Sequence, residues 1–438
     1  MGMGGRQVIA VEVRLWNTTI GALTLREGDP FASFEYAAEF LESGMEPAPV
    51  MMPLAPGVYR FPELPFKSFH GLPGMFADAV PDKFGNTLID AWLAEQGRAK
   101  ENFSALERLC YTGTRAMGAL EFYPVAGPET RWSESLDIER LRSLADEILV
   151  QRKRARVKIK KDEKECFEQI LRVGTSAGGA RAKALVAYNE RTGELRSGQV
   201  NASEGFTYWL LKLDGVGGNG DKEGADAAGY GAVEYAYSLM ARAAGIGMTP
   251  CRLFETAGKR HFMTKRFDRT DDGRKLHYQS FAGLCHFDFN AAGAYSYEQA
   301  FAVTRKLGLG ASAREALFRR AVFNILARNQ DDHVKNIGFL MDKSGTWSLA
   351  PAFDMTYAYN PGGLWTGRHQ MSLNGKLENF AAADFAVAAR SAGLPRGRYK
   401  VILEQVLDAV ALWSKFAKEV GVEKIFVDGV RKGFPKFR

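Results

Sequence analysis

Six consecutive residues, Asp331-Asp332-His333-Val334-Lys335-Asn336, place a carboxylate and an amide five positions apart, directly after a strongly periodic helix pattern that ends near Asn329. Asp354 follows beyond a predicted hairpin, IGFLMDKSGTWSLA, whose turn falls at Asp342 to Gly345. A two-stranded hairpin returns the chain to the end from which it started, so Asp354 is expected beside Asn336 and Asp331. Few carboxylates and one amide oxygen, with positions left for water and phosphate, suit a hard cation such as Mg²⁺. Phosphoryl transfer uses such a set: one Asp takes the substrate hydroxyl proton, an Asn five residues on holds metal, and a second Asp holds the metal that bridges the phosphates. Asp331, Asn336 and Asp354 fit that spacing, and Asp332 is off by one.

The hexapeptide alone is a weak signal, because Asp and Asn cap helices and turns everywhere. Lys212 strengthens it. It ends the aromatic, apolar stretch FTYWLLKL, where a charge is out of place without a partner, and a kinase needs a strand lysine there for the α/β-phosphates. The plainer alternative is a lysine snorkelling from a strand end. The loop Gly174-Thr175-Ser176-Ala177-Gly178-Gly179-Ala180-Arg181-Ala182-Lys183 offers backbone N–H groups that can approach phosphate, flanked by two cations, although an ordinary turn uses the same residue types. A rival, Gly215-Val216-Gly217-Gly218-Asn219-Gly220, matches G-x-G-x-x-G. Its helix is expected only near Asp226, the intervening DKEGAD is acidic, and no acid lies about 20 residues on, so a dinucleotide site is set aside.

These residues need elements to position them. Val8 to Leu15 alternates as a strand, with a turn at Asn17 to Gly21 and a second strand to Leu25, which makes a hairpin. A helical pattern stops at Gly85 and resumes to Leu93, and ALEFYPV reads as a strand. A helix from Leu136 to about Val150, a hairpin around Asn189 to Gly193, a helix from Asp226 to Ala244 and the strands CRLFE and HFMTKRF follow. From Ser296 the pattern is helical. Strand-rich followed by helix-rich predicts an α+β protein with a cleft between two lobes.

Composition narrows the class. The 438 residues carry 58 Lys+Arg against 51 Asp+Glu, a net of +7, and 46% are hydrophobic, which excludes a disordered chain, a collagen and a disulfide scaffold. The window Gln151 to Lys164 holds a net of +6 and the tail from Arg431 a net of +4, leaving −3 elsewhere. Broad phosphate-backbone binding therefore has little to rest on outside two short segments, and the window reads as a solvated connection. Cys110, Cys166, Cys251 and Cys285 form no C-x-x-C, and the histidines no zinc spacing. No apolar run reaches the roughly 18 residues that span a bilayer, and the start lacks the order of a signal peptide. The expectation is a soluble cytoplasmic protein with reduced thiols and no membrane partner.

The stretches VEVRLWNTTIGALTL, FEYAAEFLESG and LPGMFADAVPDKFGNTLI, then SAGGARAKALV, WLLKLDG, EYAYSLMARAAGI, MTKRFDR, QDDHVKNIGFL and LAPAFDMTYAY, occur in one order along most of the chain. In these the sequence resembles the HipA-type serine/threonine kinases, toxins of bacterial toxin–antitoxin pairs. The resemblance implies an amino-terminal α/β subdomain with a β-hairpin over 1–128, a divergent protein-kinase-like nucleotide-binding region over 129–295, and a helix-rich catalytic and carboxy-terminal lobe over 296–438. It makes Asp331 the catalytic base, Asn336 and Asp354 the metal ligands and Lys212 the phosphate lysine. Lys265, Arg266 and Phe267 become the adenine hinge, His333 and Lys335 further ATP contacts, and Ala177, Gly178, Gly179, Ala180, Arg181 and Lys183 the phosphate cradle. Ser176 matches the serine that family members phosphorylate on themselves, and Thr175 offers a second hydroxyl beside it. A phosphate dianion on that loop would repel ATP.

The chain departs from the family in having Ala182 where its loops often carry Pro, and Arg328-Asn329-Gln330 replaces the H-R-D of ordinary kinases. ATP and Mg²⁺ are the implied cofactors. The implied partners are a HipB-like helix-turn-helix antitoxin encoded nearby, through which alone DNA is contacted, and a protein substrate such as an aminoacyl-tRNA synthetase. A small-molecule phosphotransferase and a catalytically idle co-repressor subunit stay open as alternatives.

Overall fold

The computed structural model describes residues 8–127, 133–152, 163–175, 181–199, 204–216 and 228–437. It is α+β, as expected, and forms two compact units. The first comprises Met1–Leu211, Asp268–Asp288 and Leu340–Thr346; the second comprises Lys212–Phe267, Phe289–Phe339 and Trp347–Arg438.

The first unit opens with the predicted hairpin, β1 (Val8–Leu15) against β2 (Thr18–Arg26). Val11, Val13 and Leu15 alternate into the core, as a strand buried on one face requires. The turn is tighter than expected. Trp16 and Asn17 both take positive φ, 50° and 68°, which is the two-residue turn whose twist matches the strands, and Gly21 falls inside β2. With β3 (Ser33–Tyr36), β4 (Val58–Tyr59) and β5 (Leu120–Tyr123) the hairpin forms a five-stranded sheet in the order β4-β3-β2-β1-β5.

The helix stop expected at Gly85 is corrected: one helix runs Lys83–Glu95. Asp82 caps it by accepting from the Gly85 N–H at 2.6 Å, so Gly85 sits in the first turn, where the cap offsets its poor helix propensity. The predicted helix after Leu136 spans Ile138–Arg152, and a second, Lys164–Gly174, had no counterpart in the pattern reading. The hairpin around Asn189 is formed by β6 (Lys183–Tyr188) and β7 (Leu195–Ser197). The stretch FTYWLLKL gives β8 (Thr207–Lys212), beside β6.

Two imidazoles in this unit couple its stability to pH. His277 is fully buried, with Nε2 2.9 Å from the Pro47 carbonyl. His286 Nε2 accepts from the Gly74 N–H at 3.0 Å. Burial pushes each down to about 4, in His277 against the opposing pull of the Pro47 bond. A folded value below the unfolded one means that the unfolded chain takes up the proton first. The stabilisation is thus complete above about pH 6.5 and lost as pH falls towards 4, on the order of 3 kcal/mol apiece. Denaturant titrations at steps between pH 7 and 4 should show that decline, with a shallower slope in His286→Gln; an equal slope would remove this imidazole as a cause.

In the second unit β9 (Cys251–Thr256) pairs with β10 (Lys259–Lys265). The helix Tyr230–Ala243 begins after Gly229, four residues later than expected, and residues 226–227 lie outside those described. Helices Tyr297–Lys306, Ala311–Leu326, Ala382–Ala392, Arg398–Ala411, Trp413–Val420 and Lys424–Gly433 account for the helix-rich end. Among the described residues no helix is long and apolar enough to cross a membrane. All four cysteines are buried, and burial raises the thiols of Cys110, to about 11, and of Cys166 and Cys251.

Candidate active site

Lys212 has the partner its sequence context demanded. Its Nζ lies 2.5 Å from Glu234 Oε1 and 2.5 Å from Asp354 Oδ1; Lys212 and Glu234 are buried, while the Asp354 side chain is 37% exposed. Glu234 is 1% exposed, projecting from the helix Tyr230–Ala243 one turn after Gly231. That glycine lets the helix press onto β10: a Cβ there would fall 2.6 Å from the Arg260 carbonyl. One ammonium between two carboxylates leaves a formal net charge of −1, so both acids hold the lysine and removing it would set the two carboxylates against each other. Sequence reasoning missed Glu234. Its signal was a single acid in the apolar run GAVEYAYSLM.

The loop that carries Asp331 follows from the helix Ala311–Leu326, which buries most of its circumference. Tyr237 Oη donates to the Ala327 carbonyl at 2.8 Å, fixing the helix end. Arg328 then takes a positive φ of 54°, and the chain bridges in parallel to Ala358, with Gln330 N–H donating to the Ala358 carbonyl at 3.0 Å. This bridge, together with the Ala350 N–H to Gly338 carbonyl bond at 2.9 Å, returns the chain near its start as the hairpin argument required. Asp354 itself adopts φ 52°, a left-handed conformation that a residue without β-branching tolerates and that clusters at functional sites.

A chain of buried hydrogen bonds joins the two halves of the site. Asp332 Oδ2 accepts from Tyr297 Oη at 2.7 Å and stands 2.9 Å from His369 Nδ1, while Oδ1 accepts from the Gln370 N–H at 2.8 Å. Burial, then the Asp332 charge, raise the Tyr297 phenol and keep it a donor. Tyr297 Oη in turn accepts from Asn324 Nδ2 at 2.9 Å; Asn324 Oδ1 accepts from Asn329 Nδ2 at 2.9 Å, and Asn329 Nδ2 reaches the Asp354 carbonyl at 3.3 Å. The residue that is off by one in the spacing thus turns inward and anchors the loop, leaving its neighbour Asp331 half-exposed. Asp331 Oδ1 accepts from the Trp365 indole N–H at 2.7 Å, with His333 Nε2 3.8 Å away.

Asn336 Nδ2 donates to the Asp331 carbonyl at 2.8 Å, which turns its amide oxygen away as an acceptor. Among the described residues no three His, Cys, Asp or Glu side chains gather into a metal-binding group. The donors here are one carboxylate, Asp354, and one amide oxygen, Asn336, a set that fits Mg²⁺ completing its shell with water and phosphate.

The remaining expectations fall in different places. His333 lies beside Asp331, its Nδ1 buried without a hydrogen-bond partner among the described residues, and Lys335 Nζ sits 4.3 Å from the Phe289 ring centroid. Lys265 ends β10, its N–H bound to the Pro250 carbonyl at 2.8 Å; Arg266 is buried and Phe267 packs on Phe353 with centroids 5.3 Å apart. In the first unit Arg181 is buried, and Lys183 is paired with Asp82 at 2.8 Å. Thr175 is fully buried with its hydroxyl bonded to the Leu171 carbonyl at 2.8 Å. Ser176, Ala177, Gly178, Gly179 and Ala180 lie outside the described residues, as do Gly217 to Gly220 of the rival motif and 153–162 of the basic window.

The architecture that carries this site is that of a known structure. HipA of Shewanella oneidensis MR-1, solved with HipB and its operator DNA, superposes with a TM-score of 0.66 at 17% identity, over 96% of this chain and 95% of that one. Family models place the identity more closely: the HipA N-terminal domain matches residues 11–123 and the HipA-like C-terminal domain residues 175–413. The chain belongs to the HipA family. The Helicobacter pylori proinflammatory kinase CtkA is a more distant neighbour, with a TM-score of 0.36 at 13% identity over 59% of this chain and 90% of that one. No curated protein matches the chain.

Proposed function

We propose that this chain is an ATP- and Mg²⁺-dependent protein serine/threonine kinase, the toxin of a toxin–antitoxin pair. The observation that carries the reading is Lys212 held between Glu234 and Asp354, since phosphoryl transfer requires a strand lysine paired with a helix glutamate and an aspartate that holds metal. Lys212 would cradle the α/β-phosphates; Lys265 to Phe267, His333 and Lys335 are proposed as further ATP contacts, and the 177–183 segment as the phosphate loop. Asp354 and Asn336 would hold Mg²⁺, which when bound neutralises phosphate oxygens. The substrate hydroxyl oxygen forms its bond to the γ-phosphorus as the bond to the bridging oxygen breaks; ADP leaves with that electron pair, and the hydroxyl proton passes to Asp331.

Ser176 is the proposed self-phosphorylation site, which the committed hydroxyl of Thr175 favours over its neighbour. Membership of the HipA family and likeness to a HipA solved with HipB support a HipB-like antitoxin as partner, with DNA reached through it. A translation component such as an aminoacyl-tRNA synthetase is the proposed substrate, and the cytoplasm the proposed location. The test is Lys212→Met. Transfer from labelled ATP should fall at least about 10²-fold, as when one preorganised charge-stabilising donor is removed. Transfer within about threefold of the parent would sink the kinase reading.

A further inference from the structure

The loop 360–367 presents a side chain to the base. Its ends are joined by the Asn360 N–H to Thr366 carbonyl bond at 3.2 Å, and the Gly363 N–H donates to the Asn360 carbonyl at 2.9 Å. Gly367 closes it: a Cβ there would lie 2.4 Å from the Gly363 carbonyl. Gln370 ties the loop to the buried network, its Nε2 donating to the Trp365 carbonyl and its N–H to Asp332 Oδ1. The half-buried Trp365 is thereby held with its indole N–H 2.7 Å from Asp331 Oδ1, and among the described residues no donor reaches Oδ2.

We infer that Trp365 is a positioning residue for the base, engaging Oδ1 and orienting the carboxylate so that Oδ2 is the oxygen that receives the proton from the acceptor hydroxyl. This rests on the phosphotransfer reading proposed above. An aspartate left to rotate about χ2 offers either oxygen in many directions, whereas one pinned through Oδ1 presents the other in a fixed one, and a base is effective only when aligned with the proton it takes. Indole suits the task. It donates and cannot accept, so it never competes for the substrate proton.

The test uses the full-length chain with water as the acceptor, reading inorganic phosphate released from labelled ATP. Trp365 is replaced by Phe, and separately by benzothienylalanine, in which sulfur stands where the indole N–H was. Both should lower kcat about tenfold with KM for ATP unchanged within twofold, whereas a merely structural role would spare the isosteric analogue. Asp331→Asn is the second arm. If it releases phosphate as fast as the parent, the phosphotransfer reading fails and this inference with it. If it is impaired while both Trp365 variants match the parent, the inference alone is overturned. An independent measurement is the ¹H–¹⁵N indole resonance of Trp365, identified by its loss in Trp365→Phe. It should move upfield by roughly 1 ppm in the proton dimension in Asp331→Asn, where a neutral amide replaces the charged acceptor; an unmoved resonance would show that no such bond exists in solution.

Discussion

Asp331→Asn is expected to lower phosphate transfer from labelled ATP by about 10²- to 10⁴-fold, the usual contribution of a positioned general base. The amide keeps the size of the carboxylate and can still accept at Oδ1 from Trp365, so the loop should hold its shape and the denaturation midpoint should stay within about 0.5 kcal/mol of the parent. Nucleotide affinity should also be retained, because Lys212 and Asp354 form a separate cluster. The combination of lost turnover, kept binding and kept stability distinguishes a chemical role from a folding one. Transfer at the parental rate would exclude Asp331 as the base.

Asp332→Ala should act in the opposite sense, as a folding defect first. Removing this carboxylate strips the acceptor from the Tyr297 hydroxyl, the His369 ring and the Gln370 N–H, all buried. Each stranded donor costs about 1–3 kcal/mol, so a total of roughly 3–9 kcal/mol is expected, a large share of the roughly 5–15 kcal/mol that stabilises a typical domain. Asp332→Asn keeps one accepting oxygen and should lose about half as much. Urea unfolding of the two variants measures this directly. A loss below about 1 kcal/mol for Asp332→Ala would mean that the three donors find other partners. Since the same network runs through Asn324 and Asn329 to the Asp354 carbonyl, the alanine variant should also transfer phosphate poorly even where it is folded.

The contrast between these neighbours explains what was legible from the chain. Asp331, Asn336 and Asp354 stand out because loop chemistry leaves its mark in short spacings, and Lys212 because a charge in FTYWLLKL violates its surroundings. Asp332 reads as a misregistered copy of its neighbour, since its partners lie 35 to 38 residues away and nothing local distinguishes an inward aspartate from an outward one. Glu234 is hidden for a related reason: one acid on a helix looks solvent-facing until the close approach of its helix to β10 shows that it is not. Trp365 left no signal, because an indole carries no titratable chemistry and gains its role only through Gly367 and Gln370. Element types were read more reliably than their ends. The hairpin of β1 and β2 is as expected, yet its turn is shorter and earlier than the expected Asn17 to Gly21, because Trp16 and Asn17 adopt the positive φ. The stop expected at Gly85 overlooked the cap that Asp82 supplies from three residues upstream.

The burial of the cysteines makes the chain its own unfolding clock. A thiol reagent reacts with exposed thiolate, and these side chains are withheld from solvent, three of them also shifted toward the protonated form. Labelling is therefore timed by structural opening and not by sulfur chemistry, as amide exchange is. Cys110, Cys166 and Cys285 report on the first unit and Cys251 on the second, so the order in which their masses shift ranks the two units by how readily each one opens.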